Sequence, residues 1–338
     1  MKYSRVRIES FGYELPSHVV TSEDLERRLE PMYETLRIQR GQLEAITGIR
    51  ERRFWDPGFP LHEGATRAGR KAIEAAGIDP GRIGMLIYGA VCRENLEPAT
   101  ACAVAHALAL SPGCQIYDVS NACLGVLNGM VNVANAIELG QIEAGLVVAC
   151  ESAREIVDLT IERLNREKDM DVLRKTVATL TGGSGAVAVL LSDAAASGRG
   201  HRIMGGAARS APEHHRLCVW GPDAGIPGGT AHMAETDAVK VLQNGVALGI
   251  DTFREFRGAL ALPDGKPDKI ICHQVGATHQ RTILDAIGIP ADRDFTTFRF
   301  LGNVGTVSLP ITAAIAHERG FLAPGDTVCI LPGQSHRV

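Results

Sequence analysis

Asp118-Val119-Ser120-Asn121-Ala122-Cys123-Leu124-Gly125 is the stretch on which the reading of this chain turns. Gln115 to Val119 reads as a short buried strand, and the apolar periodicity from Leu124 to Ile137 reads as a helix. Cys123 is thereby placed at the turn between them, where unpaired backbone N–H groups and the positive end of the helix dipole meet. That setting favours thiolate over thiol, the form a nucleophilic cysteine needs. Ala122 and Gly125 are small and leave room for a substrate to approach. In isolation the same residues would also describe an inert buried cysteine, which packs as a small hydrophobe.

Two later stretches repeat the pattern. Lys269-Ile270-Ile271-Cys272-His273-Gln274 is a strand that delivers His273 at its C-terminal end. Leu301-Gly302-Asn303-Val304-Gly305 sets an asparagine in a glycine-bracketed turn before a helix that begins near Pro310. In α/β folds ligands collect outside the carboxyl ends of strands, so the three side chains are expected to converge there. Cysteine, neutral histidine and asparagine amide supply a nucleophile, an acid/base or donor, and a polariser.

Composition bounds the class. The 338 residues are 45% hydrophobic and 22% charged, enough for a large buried core and a length that suggests two domains or two fused halves. A net charge of −4 without a Lys/Arg run argues against nucleic acid as a partner. Eight cysteines lack paired metal-type spacing, so a reduced, cytoplasmic compartment is expected rather than a disulfide framework or a zinc site. The start, MKYSRVRIES, has no apolar core for a signal peptide, and no run is long enough to span a bilayer.

Alternating helical and strand-like segments predict an α/β architecture with mainly parallel sheets. Strands are expected at Val6–Gly12, Met85–Ala90, Gln115–Val119, Gly145–Cys150 and Gly185–Ser192, then at Ile203–Ala208, Lys269–His273 and Thr327–Leu331. In each half a helix (Glu63–Ala76; Asn244–Leu262) leads through a Pro/Gly turn into a buried strand, a weak internal duplication. The expected halves are 1–195, carrying Cys123 and a cap insert at 155–180, and 200–338, carrying His273 and Asn303. Glu155–Leu180 is charged and helical, a cap or interface segment. Gly205–Asp237, rich in Gly, Pro and His, reads as a long loop over the site. Within it Glu213-His214-His215 invites a metal reading, but adjacent histidines on an extended segment point to opposite sides. Gly182-Gly183-Ser184-Gly185 lacks the Lys-Ser/Thr of a phosphate loop and precedes a strand, so it reads as a turn.

The blocks around Cys123, His273 and Asn303 resemble the ketoacyl synthase III branch of the thiolase superfamily, and Thr47-Gly48-Ile49-Arg50-Glu51-Arg52 is similar to a fourth motif of that branch. The likeness runs from about Arg5 to Ile330 and keeps the order of the motifs. It implies a five-layered αβαβα thiolase fold from two fused βαβ halves, with Cys123, His273 and Asn303 catalytic, acyl-CoA thioesters as substrates, and no bound cofactor or metal. The order Cys, His, Asn is also that of papain-like proteases. Their cysteine context and disulfides are not seen here, so a hydrolase is disfavoured.

Two carbon–carbon bond-forming chemistries then compete, both beginning with acyl transfer to Cys123. In ketoacyl synthase III, loss of carbon dioxide from malonyl on acyl carrier protein makes the carbanion and no base is required. In a non-decarboxylating Claisen condensation a base must take an α-proton. Glu97, in Leu96-Glu97-Pro98-Ala99-Thr100, falls where ketoacyl synthase III enzymes usually carry an aromatic residue. It resembles the glutamate of the acyl-CoA head-to-head condensing enzymes of bacterial olefin biosynthesis (OleA type). Leu25–Trp55 and Glu162-Arg163-Leu164 look closer to that subgroup too. In it the glutamate reaches into the partner subunit's site, which implies an obligate homodimer with Glu97 donated across the interface. Otherwise Glu97 reads as a helix first-turn acid favoured by the macrodipole. Gln42 and Ile46 fall where ketoacyl synthase III proteins carry the Trp and Arg that hold CoA. The chain closes on Leu331 to Val338, without the family's last strand. A weakened, acyl-binding partner subunit is a third reading, opposed by the intact Cys123, His273, Asn303 and Glu97.

Overall fold

The computed structural model describes residues 1–196, 200–222, 232–260, 262 and 265–332. Its main sheet runs, in spatial order, Gln115–Asp118, Ile83–Tyr88, Ala144–Glu151, Gly185–Asp193, Val6–Glu14 and His201–Arg202. The first three strands are parallel, whereas Gly185–Asp193 opposes both of its neighbours. The sheet is therefore mixed rather than mainly parallel, and the cap insert is the reason. Glu151, the last residue of its strand, pairs with Gly185, the first of the next. Residues 152–184 thus leave and return at the same end, and such a strand must run back antiparallel.

Ala144–Glu151 and Gly185–Asp193 are buried throughout, which is why both read as continuous apolar runs. Alternate side chains serve opposite faces. A Cβ on Gly69 of helix Leu61–Ala76 would touch Leu146 and Val148, while one on Gly129 of helix Gly125–Glu138 would touch Val147. The two helices therefore cover the two faces. Helix Ser308–Glu318 packs on the second face and also meets a smaller parallel sheet, Lys269–Cys272 with Val328–Leu331. Ile271 of that sheet buries against Leu309, Ala313 and Ala316, and its neighbours Ile270 and Cys272 bury on the other side against Phe253, Ile283 and Leu284. Helices Ala238–Leu260 and Ala277–Ile287 form that outermost layer. Helix, sheet, helix, sheet, helix make the five layers of the thiolase fold.

The insert folds as helices Arg154–Glu167 and Met170–Thr176 and lies over the carboxyl ends of the strands. Ala153, Val157, Ile161 and Leu164 bury against Leu25, Leu29, Met32 and Tyr33 of the N-terminal helices, a core separate from that of the main sheet. Arg163 donates to Glu235 Oε1 through both terminal nitrogens at 3.1 Å, tying the insert to the hairpin Cys218–Pro222/His232–Thr236. That hairpin falls inside the segment read as a loop. No helix among the described residues is long and apolar enough to cross a membrane.

One expected strand is absent. Only His201–Arg202 forms a regular strand, and it joins the main sheet beside Val6–Glu14. Past Arg202 the chain stays beside residues 1–6 but pairs irregularly: the Ile203 N–H donates to the Val6 carbonyl, the Tyr3 N–H to the Met204 carbonyl, and Gly205, at a φ of +145° where a Cβ would lie 2.4 Å from the Met1 carbonyl oxygen, bridges Lys2. Residues 333–338, at the close of the chain where the family's last strand was read as missing, lie outside the described residues.

Candidate active site

Cys123 sits between strand Gln115–Asp118 and helix Gly125–Glu138, as its sequence context implies. Ala122, immediately before it, adopts a left-handed φ of +47°, a strained conformation for a side chain with a Cβ. This turn immediately precedes Cys123, which lines the cavity. Gly125 has a different task from the one inferred for it. A Cβ there would stand 2.1 Å from the Gly89 carbonyl oxygen, so its bareness lets the helix start pack against the end of a neighbouring strand. Ala122 does line the cavity beside Cys123. The helix start is also less open than expected, because the Val126 N–H donates to Thr306 Oγ1 at 2.8 Å.

His273 follows strand Lys269–Cys272, its N–H donating to the Leu331 carbonyl at 3.0 Å. The next residue fixes the turn. Gln274 donates to the Cys272 carbonyl and accepts from the N–H groups of Thr297 and Phe298. The imidazole is 2% exposed and neither ring nitrogen has a hydrogen-bond partner, an unusual state for a buried polar group. Burial, and then the neighbouring His279, push its pKa down to about 3. At neutral pH His273 is an uncharged imidazole, able to donate or accept.

Asn303 lies between Gly302 and Gly305, both at positive φ, and just before a 3₁₀ turn, Gly305–Val307, that leads into helix Ser308–Glu318. Its backbone is clamped by the Thr181 carbonyl and the Gly183 N–H at 2.9 Å each. Its Oδ1 accepts from the Gly305 N–H at 3.2 Å, which leaves the NH2 end as a donor to the cavity that Asn303 lines.

Cys123, His273 and Asn303 meet on one cavity of about 740 Å³, within the usual size of a small-molecule site. Ile156, Val177, Val241 and Leu242 from the cap and helix Ala238–Leu260 make it greasy. The hairpin adds Val219 and Trp220, so the 205–237 segment does stand over the site. His215 is on the cavity wall too, and Glu213-His214-His215 forms part of a 3₁₀ turn rather than an extended run. Residues 223–231 lie outside the described residues.

Glu97 is elsewhere. It is exposed, on the loop 93–98, and is not among the residues lining this cavity. Neither is it a first-turn acid: the helix begins at Thr100, and Asp118 takes the Thr100 and Ala101 N–H groups at 2.9 Å each. A single chain therefore brings three of the four named residues together.

Sequence reasoning missed Glu151, a carboxyl 4% exposed on the cavity wall, whose pKa burial pushes up. The signal was there: Glu151 ends a wholly apolar strand, as His273 follows one. It also missed His279, on the same wall with its ring centre 6.4 Å from that of His273.

His273 links the site to stability. Between about pH 6.5 and 3 the unfolded chain takes a proton that the folded protein refuses, so stability falls as pH drops through that window. At about 1.4 kcal/mol per unit, the full effect is on the order of 5 kcal/mol. Asp294 offsets part of it. Burial raises its pKa to about 6, so the folded state holds that proton more tightly as pH falls from about 6 towards its usual value. In chemical denaturation, His273→Asn is expected to lose clearly less stability than the wild type between pH 6.5 and 4; parallel losses would contradict the buried neutral imidazole.

Comparison with known proteins agrees with this geometry. Residues 58–192 match the family model described as thiolase, N-terminal domain, and residues 262–332 that described as 3-oxoacyl-(acyl-carrier-protein) synthase III, C terminal. An acyl-CoA:acyl-CoA alkyltransferase of Shewanella oneidensis is 50% identical over 98% of this chain and 96% of its own length. A protein of the same name from Xanthomonas campestris pv. campestris is 33% identical over 98% of this chain and 96% of its own. Crystal structures of Xanthomonas campestris OleA superpose closely. The cerulenin-bound form gives a TM-score of 0.93 at 33% identity, covering 100% of this chain and 96% of that one. A Cys-to-Ser variant with lauric acid and lauroyl-CoA gives 0.92 at 32%, covering 99% and 97%.

Proposed function

Since this chain belongs to the acyl-CoA:acyl-CoA alkyltransferase family of thiolase-fold acyltransferases, we propose that it joins two fatty acyl-CoA molecules by Claisen condensation. Cys123 Sγ attacks the first thioester carbonyl, and the CoA thiol departs with the cysteine's proton, leaving an acyl-Cys123. Glu97 of a second copy takes an α-proton from the second acyl-CoA. The resulting enolate oxygen accepts hydrogen bonds from His273 and the Asn303 amide, which line the same cavity as Cys123. The α-carbon then attacks the acyl-Cys123 carbonyl, a carbon–carbon bond forms, and the Cys123 thiolate leaves a β-ketoacyl thioester that hydrolysis converts to the β-keto acid.

The observation that carries this reading is the partition of groups. Nucleophile, neutral imidazole and amide share a greasy cavity able to house alkyl chains, while the acid stands exposed on a loop outside it. An exposed loop beside the edge strand Gln115–Asp118 supports a crossing into a copy of the same chain. An enzyme that borrows its base must be a two-fold dimer, burying well over ~2,000 Å².

The test is incubation with two acyl-CoAs of different isotopic mass and no malonyl-carrier protein. The expected product is a mixed β-keto acid, from protein whose light-scattering mass is that of a dimer. Product formed only when malonyl-carrier protein is added would favour the decarboxylating synthase instead, and full activity from a monomer would rule out the borrowed base.

A further inference from the structure

The loop that carries Glu97 has an inner root, and hydrogen bonds hold it at Val91 and Cys92. After strand Ile83–Tyr88 the chain reaches Val91 and Cys92, whose N–H groups donate to Glu151 Oε1 and Oε2 at 3.0 and 3.1 Å. The Cys92 carbonyl accepts from the Tyr88 hydroxyl at 2.9 Å, and its thiol points to the Ser152 carbonyl at 3.4 Å. Beyond this residue the chain turns outward: residues 93–98 are exposed, Leu96 by 74%. The outer root is fixed as well, by Asp118 on the first turn of helix Thr100–Ala107.

Glu151 also faces the other side of the site. The Thr306 N–H donates to it, and a Cβ on Gly305 would rest 3.4 Å from its carboxylate. Thr306 in turn caps the helix that follows Cys123. One buried side chain thus touches the Asn303 turn and the base of the outgoing loop. An ionisable group so buried is costly unless several N–H donors compensate, and Val91, Cys92 and Thr306 supply them. Both carboxylate oxygens accept from backbone N–H groups, which fixes the orientation of the carboxylate between the two segments.

We propose that Glu151 is a positioning residue: it tethers the root of the Glu97 loop to the wall of the acyl cavity and so sets where the loop delivers its carboxylate. The inference rests on the reading of Glu97 as a base lent to a neighbouring copy. Glutamine cannot replace glutamate in this role. Its amide offers one oxygen for two N–H donors and turns an NH2 against the other. The loop would keep its sequence and lose its aim.

The experiment compares Glu151→Gln, Glu97→Gln and the double variant, each for the rate of Cys123 acylation, the rate of condensation and amide hydrogen exchange across residues 89–99. Glu151→Gln is expected to acylate within about twofold of wild type and to condense about 10²-fold more slowly, as misplacement of a reacting group by an ångström does. Exchange at Val91 and Cys92 should quicken. The double variant should condense no more slowly than Glu97→Gln, because the two act through one group. Wild-type condensation with unchanged exchange in Glu151→Gln would overturn the tether, and so would a double variant that falls multiplicatively below Glu97→Gln. If Glu97→Gln is itself unimpaired, the reading of the base fails, and the exchange data alone decide the tether. Should Glu151→Gln not fold, Tyr88→Phe removes the bond to the Cys92 carbonyl and must give the same selective loss in milder form; equal loss of acylation and condensation there would count against the proposal.

Discussion

Cys123→Ala is expected to abolish acyl transfer from a long-chain acyl-CoA to the protein, and with it all condensation. Intact-mass and peptide analysis of the wild type should find one acyl group, on the peptide carrying Cys123. Two of the other thiols, Cys150 and Cys272, are poorly placed to compete. Cys150 and Cys272 are 0% and 1% exposed, and burial pushes both thiols well away from the reactive thiolate form. Cys218 is the informative rival, because it is exposed and also lines the cavity. An acyl group on Cys218, or acylation that survives Cys123→Ala, would overturn the assignment. The loss should be complete rather than graded: without a sulfur after the Ala122 turn there is no covalent intermediate to divide the reaction into two steps.

The parts of this site that were legible in the sequence share one physical cause. Cys123, His273 and Asn303 each follow a strand or sit in a glycine turn at the carboxyl end of the sheets, and the chain has little freedom about where such residues go. Glycine marks the places: Gly302 and Gly305 take the positive φ that the Asn303 turn needs. The misreadings share causes too. Ile203–Ala208 has the composition of a strand, but at Gly205 its pairing with residues 1–6 breaks down to an isolated bridge with Lys2. The hairpin Cys218–Pro222/His232–Thr236 was hidden among Gly, Pro and His because its strands pair with each other and stay half in solvent, which erases the apolar alternation. The antiparallel course of Gly185–Asp193 follows from where the cap returns to the sheet, a tertiary fact with no local signature. Glu151 was overlooked because an apolar run with one terminal acid reads as the end of a strand, and its hydrogen bonds reach residues some sixty positions earlier.

Glu97→Gln is expected to leave acylation of Cys123 intact while condensation falls by roughly 10²–10⁴-fold, the range for loss of a positioned base. Glutamine keeps the shape and the exposed loop but cannot accept the α-proton. Glu97→Asp should fall between, since shortening the arm by about a bond length misplaces the acceptor. Exposure in one chain is itself part of the argument. A carboxylate in water is a feeble base for a carbon acid, and insertion into a neighbour's apolar cavity would strip that water and strengthen it. The decisive measurement mixes chains. Co-expressed with Cys123→Ala, the Glu97→Gln chain supplies an intact Cys123 and the other chain an intact Glu97. If the base crosses the interface, each mixed dimer has one complete site, and a random mixture should recover about a quarter of wild-type condensation. If Glu97 served its own chain's cavity, every site in every dimer would lack one group and nothing would be recovered. Because Glu97 stands outside the cavity that holds Cys123, His273 and Asn303 of the same chain, recovery is the expected result.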